Sequence, residues 1–486
     1  MNWGNSNALN ELGVIFLTLG KLDEAINSLS ASLEIFNNIL GEAHLDTSKV
    51  ARNLGEAYYV KAEFNKAEEL YLHSLEIHKR YLPDDHPDIG EILNNIGSVY
   101  DSKADYSRAR KYYEEAYSIL ELKLGPDHTD STDILANIGG IFVVESNYVK
   151  ALPLFQKILD SSERVNGGVH PKTALYLTFV AGVHENKCQY SLSEPLYRRA
   201  LDIQENILGP DHHDTAKTLT YLSWGMNANA KYNEARVLIN RAIAIEEKNM
   251  GTDHPLTSGA YSYLADLLAN IFDFKNAESL YRKILKDRKI SLGDNYPDVG
   301  RTMANLGWLL CELENYEESK HYLENSLKIL ENSLGFNHIH CGYVMNYLAH
   351  FSIHKSGDLS NSKRFVNKSL EINSTVLGKD HPYTADAMAL YSDLLFREGN
   401  LSEAKSMMKK VLSIRKEVFG LYHPHVAVAL NSIKWVLEAE NLTDELITLE
   451  KDLAVNYAAF PELSIFIENK QSNLKFPSSN IMRQMI

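Results

Sequence analysis

Apolar and polar residues follow a helical rhythm along this chain, and the rhythm stops and restarts at fixed intervals. The clearest stretch is residues 87–124, where Ile92, Leu93, Ile96 and Tyr100 form one amphipathic run. After Lys103-Ala104-Asp105 the rhythm resumes with Ala109, Tyr112, Tyr113, Ala116, Ile119 and Leu120. Apolar residues three and four apart share one side of a helix, so this stretch predicts two helices joined by a tight turn. Pro87 suits the first helical position, where its missing N–H costs nothing. Gly125 suits the left-handed conformation just beyond a helix end.

The same two-helix pattern returns every 42 residues, marked by His44, His86, His128, His170, His212 and His254. Tyr296 interrupts the series, which resumes at His338, His381 and His423 after one inserted residue between the first two of these. Such a period predicts about ten copies of one module forming a single elongated body, in which each copy buries its apolar face on its neighbours. Two positions stay small throughout. In the first helix they include Gly13, Gly55, Gly97, Gly139 and Gly307, and in the second Ala25, Ala67, Ala109, Ala151 and Ser319. Glycine inside a helix costs roughly 1 kcal/mol relative to alanine, so propensity does not explain it. The pattern predicts helices crossing there with their backbones near contact, where a leucine would overpack by about 1–3 kcal/mol.

Leu54-Gly55-x-x-Tyr58 followed by Ala67-x-x-x-Tyr71, and Ile96-Gly97-x-x-Tyr100 followed by Ala109-x-x-x-Tyr113, resemble the tetratricopeptide repeat. The resemblance covers residues 6–425. The usual unit has about 34 residues, whereas here the period is 42 and the joins read Leu-Gly-x-x-His-Pro-x-Thr, as around Leu208, Gly209, His212 and Thr215. That longer form is similar to the repeats of the kinesin light chain family and of related arrays in signalling and defence proteins. The resemblance implies an all-α fold: a right-handed superhelical solenoid of about ten antiparallel helix pairs. Trp435, Val436, Leu437 and Leu446 keep the helical rhythm after the join signature fades, so residues 426–458 are expected to form capping helices, with a loosely ordered tail over 459–486.

Composition narrows the function. Lys and Arg number 49 against 64 Asp and Glu, a net charge of −15, which argues against binding nucleic-acid backbones. Cys188, Cys311 and Cys341 form no CxxC pair, consistent with a reducing compartment, and neither a signal peptide nor a membrane-spanning run is visible. The expected location is the cytoplasm.

The histidine ladder invites a metal or acid–base reading, but successive modules separate its members by roughly 20 Å if two helices of about 10 Å intervene. A metal ion holds its ligands at about 2 Å. Each imidazole is therefore expected to terminate or cap the loop, bonding a free amide at the start of the next helix or packing on the preceding turn. His338-Ile339-His340-Cys341 has ligand-type residues without a second cluster, and His184-Glu185-Asn186-Lys187-Cys188 carries Cys where a zinc-protease helix needs His. No phosphate-binding loop, nucleophile elbow or dinucleotide fingerprint is present, so neither an enzyme nor a cofactor is expected.

A binding role falls on the first helices, which line the concave face in the family resembled. The residue before the Leu-Gly pair is Asn53, Asn95, Asn137 or Asn305, with Tyr221 and Tyr263 at equivalent places. In peptide-binding members of that family this asparagine clamps the ligand backbone; an amide offers donor and acceptor together. Lys49, Arg52, Asn53, Asn94, Asn95 and Asn137 form one expected zone, suited to a peptide with an acidic residue or free carboxylate, although Glu56, Glu91 and Asp133 lie nearby. Tyr221, Trp224, Tyr263 and Trp308 form a second, suited to apolar or aromatic anchors. The competing reading is that the asparagines bond the neighbouring helix and the rings fill core. The expected function is a protein–protein interaction scaffold holding extended peptide segments of partner proteins, a kinesin light chain-like adaptor. The alternative is the regulatory or sensor section of a larger signalling or defence protein.

Overall fold

A computed structural model describes residues 3–460, except 20, 62, 253 and 354–358. Most of the expected tail, from 461 onward, lies outside the described residues. Everything regular among them is helical, and the helices pair in chain order. They divide into two compact units.

The first unit holds the residues up to Glu145 together with Val149–Val165. Its pairs are α1 (Trp3–Thr18) with α2 (Leu22–Leu40), α3 (Leu45–Val60) with α4 (Phe64–Tyr81), and α5 (Pro87–Ser102) with α6 (Tyr106–Leu124). α7 (Thr129–Val144) and α8 (Tyr148–Asn166) follow. The second unit holds Ser146–Tyr148 and the chain from Asn166. It pairs α9 (Pro171–Asn186) with α10 (Tyr190–Ile207), α11 (His213–Ala228) with α12 (Tyr232–Met250), and α13 (Pro255–Asn270) with α14 (Phe274–Leu292). Next come α15 (Pro297–Glu312) with α16 (Tyr316–Leu334), and α17 (Ile339–Phe351) with α18 (Leu359–Val376). The last pairs are α19 (Pro382–Arg397) with α20 (Leu401–Phe419), and α21 (Pro424–Glu440) with α22 (Thr443–Ala459). Odd-numbered helices are the first of each pair.

The join motif is entirely structural. At Gly209 the chain turns with φ +100°, a conformation that a side chain resists. Thr215 then donates its hydroxyl back to the Gly209 carbonyl at 3.0 Å, as Thr47 does to Gly41 at 2.9 Å. The ladder histidines cap the first helices. Nδ1 of His44, His86, His128, His170 and His212 accepts the backbone N–H two residues on, at 3.1–3.3 Å. His338, His381 and His423 do the same at 3.2 Å, while Tyr296 makes no such bond. Each bond satisfies one of the free amides at a helix start.

The small positions mark close crossings. The second-helix Ser319 donates to the carbonyl of Gly307 at 2.7 Å, and first-helix Ser392 to that of Ala404 at 2.8 Å, so the backbones do approach there. Large side chains four residues further along close the gap: a Cβ on Gly97 would come within 2.7 Å of the Tyr113 ring, and one on Gly139 within 2.5 Å of Phe155. A second crossing, not anticipated from the sequence, pairs Ser6 with Ser32 at 3.1 Å and Ser48 with Ser74 at 2.9 Å.

Candidate functional site

The first unit leaves one side of its first helices accessible. On α3 and α5, Ile89, Ile92, Leu93, Ile96 and Leu54 are buried against the second helices, while Arg52, Asn53, Glu91, Asn94 and Asn95 are only half-buried and Lys49 is exposed. Asn137 on α7 is likewise half-buried. These residues come together as a face, but they also bond one another. Asn53 donates to Asn10 at 3.0 Å and Asn137 to Asn94 at 3.1 Å, tying each first helix to its neighbour. Each of these amides uses only part of its hydrogen-bonding capacity in this way.

Charge on this face differs from the expectation of an acidic ligand. Arg52 is spent on Glu91 at 2.7 Å, and Glu56 accepts from Tyr71 at 2.8 Å. Burial without a cation pushes the Asp101 carboxyl up to about 6. With Lys49 and Arg52 set against Glu56, Glu91 and Asp133, the surface is net acidic.

In the second unit the expected aromatic zone divides. Tyr221, Trp224 and Tyr263 are half-buried; Tyr221 packs on Tyr197 with centroids 6.2 Å apart and Trp224 on Tyr263 at 6.4 Å. Asn305 and Trp308 retain only 6 % and 1 % of their surface. Trp308 sits edge-on to Phe274 at 6.4 Å and beside Tyr347 at 6.3 Å, within a core cluster that includes Leu306, Leu309 and Val344. Neither reaches solvent in this structure. The reason is that α15 and α17 are covered on nearly every side, from Val299 to Glu312 and from Cys341 to His350.

Sequence reasoning missed a set of contacts between the early and late repeats of this unit. Nδ1 of His423 accepts the His425 amide, so its proton sits on Nε2, which donates to the Ala228 carbonyl at 3.0 Å. His381 likewise reaches the Asn186 carbonyl at 3.4 Å, with the Cys188 sulfur 3.8 Å away. Both acceptors are last residues of helices, α9 and α11, where carbonyls lack intrahelical partners. Around these bonds Tyr190 stacks on Phe419 at 6.3 Å, and Phe419 on His423 at 4.4 Å. Ala427 and Val428 pack with Tyr232, Phe272, Tyr457 and Phe460. The late repeats of this unit thus return onto its early ones. Desolvation lowers both imidazoles from 6.5 to about 4.

The tetratricopeptide repeat family matches residues 5–80, 58–121, 175–248, 256–332 and 342–417, more than half of the chain. The chain belongs to this family. Its tetratricopeptide repeats are similar to those of BtubC (BKLC) from P. vanneervenii, at 20 % identity over 47 % of this chain and 92 % of that one, TM-score 0.40. A kinesin light chain-type protein of Podospora anserina with nearly identical repeats is 17 % identical over 41 % of this chain and 94 % of its own, TM-score 0.38. The apo form of RapI is 16 % identical over 59 % of this chain and 98 % of that one, TM-score 0.46. No curated protein matches the chain. Arrays of tetratricopeptide repeats bind other proteins. Among the described residues, no helix is long and apolar enough to cross a membrane.

Proposed function

We propose that this chain is an interaction scaffold that holds extended segments of partner proteins along the first helices of its repeats, as an adaptor of the kinesin light chain type. The observation that carries this reading is the accessible amide face of the first unit, where Asn53, Asn94, Asn95 and Asn137 stand on three consecutive first helices. Amides on successive repeats can grip peptide groups several residues apart along an extended chain, because each accepts an N–H and donates to a carbonyl. The Arg52–Glu91 pair neutralises one of the two cations of this face, and Glu56 and Asp133 outweigh Lys49, which favours a neutral or basic segment.

The test is a linear peptide library displayed on phage and selected against the whole chain. Peptides recovered should be neutral to basic. They should bind at least about tenfold more weakly to an Asn53→Ala, Asn95→Ala, Asn137→Ala variant, a loss of about 1.4 kcal/mol. Undiminished binding by a variant with native helix content rejects the assignment of the face.

A further inference from the structure

The second unit holds polar atoms that its own packing leaves unserved. Asn270 donates to Asn227 at 3.1 Å, but its Oδ1 is buried without a partner, as are Oδ1 of Asn305 and of Asn346. They belong to α13, α15 and α17, three consecutive first helices of the covered layer. Glu185 on α9 accepts from Tyr197 at 2.8 Å through one oxygen and has its other buried without a partner. Native interiors rarely leave such atoms unpaired. Tyr221, Trp224 and Tyr263 flank the same layer on α11 and α13 and remain half-buried.

A small set of contacts at helix ends ties the repeats before this layer to those after it. The His381 and His423 bonds and the Tyr190–Phe419 stack join α9–α11 to α19–α21 across about two hundred residues of chain. Breaking them requires no helix to unfold, because the capping bonds of both histidines use the other ring nitrogen.

We infer that this clasp is the gate of a second peptide-binding surface on the first helices of the second unit. The surface takes an extended, uncharged, apolar segment of a partner, its main-chain N–H groups meeting Asn270, Asn305 and Asn346 and its side chains meeting Tyr221, Trp224 and Tyr263. The inference rests on the reading that first helices hold peptides, and adds where, what kind and under what control. The unpartnered atoms on α13, α15 and α17 are amide oxygens, acceptors suited to uncharged main-chain N–H groups.

The experiment uses His381→Asn with His423→Asn in the full chain. Asparagine keeps the cap, since its side-chain oxygen still accepts from the helix start, but it is too short to reach the distant carbonyl. His44→Asn with His86→Asn is the control, touching caps alone. In a Trp3→Phe, Trp435→Phe background, acrylamide quenching reports on Trp224 and Trp308. Opening should raise quenching in the clasp variant and not in the control. Peptides selected from the phage library on the clasp variant should be apolar and bind it at least about tenfold more tightly than they bind wild type, because a mostly closed site weakens apparent affinity by its open fraction. Asn305→Leu with Tyr263→Ala, added to the clasp variant, should abolish that gain.

Unchanged quenching with equal affinities would falsify the gate. A gain that survives Asn305→Leu with Tyr263→Ala overturns the surface assignment. If the Asn53, Asn95, Asn137 triple variant loses every selected peptide whatever the clasp does, the first-unit reading stands and this inference falls. If only Asn305→Leu with Tyr263→Ala loses them, the reverse holds. Should the double clasp variant lose helix content, His423→Asn alone carries the same comparison.

Discussion

In the first unit His44, His86 and His128 cap their helices with 44 %, 37 % and 44 % of the side chain exposed. His423 in the second unit makes the same capping bond, is 3 % exposed, and gives its other ring nitrogen to the Ala228 carbonyl. The first helices differ in parallel. On α5 the residues Glu91, Asn94 and Asn95 keep part of their surface, whereas on α15 nearly everything from Val299 to Glu312 is buried. One repeat therefore serves as an accessible face or as a covered layer, according to its place in the array. The lesson is that a residue's place in the repeat fixes its local bond and leaves its remaining valence to long-range packing.

The sharpest way to break the contrast is at Arg415, which is 1 % exposed and joins Asp386 at 2.7 Å and the His425 carbonyl at 3.0 Å. Arg415→Ala strands a buried carboxyl beside the clasp and should cost about 3–5 kcal/mol. Urea unfolding followed by hydrogen exchange should place that loss in α19–α21 and leave α3 and α5 unchanged.

Acid should act with similar strength, and chiefly on the second unit, although burial also lowers His78 in the first. His381 and His423 titrate at about 4 in the fold against 6.5 ordinarily, because burial disfavours their charged forms. Arg415 faces His423 and pushes the same way, with His425 stacked beside it, while Cys188 and Tyr383 lie against His381. The unfolded chain binds these protons first as pH falls, so stability is full above 6.5 and declines toward about 4. The decline is up to about 3 kcal/mol per imidazole. Hydrogen exchange at neutral pH and near pH 4 should show α19 and α21 losing protection before α3 and α5. Simultaneous loss in both units removes the clasp as the cause.

One column of the repeat offers a subtler comparison. Asn305→Leu removes a buried oxygen that lacks a partner, and should stabilise the chain by about 1–2 kcal/mol. Asn95→Leu, at the equivalent half-buried place, should gain nothing. Equal effects in chemical unfolding would mean that the two faces are equally accessible. The smallest effect concerns turns common to both units. Ala104 and Glu314 hold left-handed φ of 58° and 63°, so glycine at either should raise stability by a few tenths to about 1 kcal/mol, alike in the two units.

Much of this was legible in the residues. The rhythm of Ile92, Leu93, Ile96 and Tyr100 falls on α5, and the recurring small positions fall at the Gly307–Ser319 crossing. The ladder histidines act as caps because their place before a helix start allows little else. The candidate site was legible only as a set of columns. Asn95 and Asn305 occupy one column, and Trp224 and Trp308 another, yet only Asn95 and Trp224 keep appreciable surface. The pairing of Asn53 with Asn10 and Asn137 with Asn94 needed coordinates as well, since a half-exposed amide bonds whichever neighbour the crossing angle brings.

The chain's residues by themselves determined the period, the helix pairs, their caps and the places where they cross, because each of these depends on neighbours within one repeat or the next. Only the tertiary structure decided which first helices are covered. The same is true of bonds such as His423 to Ala228, between residues 195 apart, which the small angular step per repeat brings together. No periodicity within 42 residues encodes such a meeting, since it arises from the accumulated geometry of several repeats rather than from any one of them.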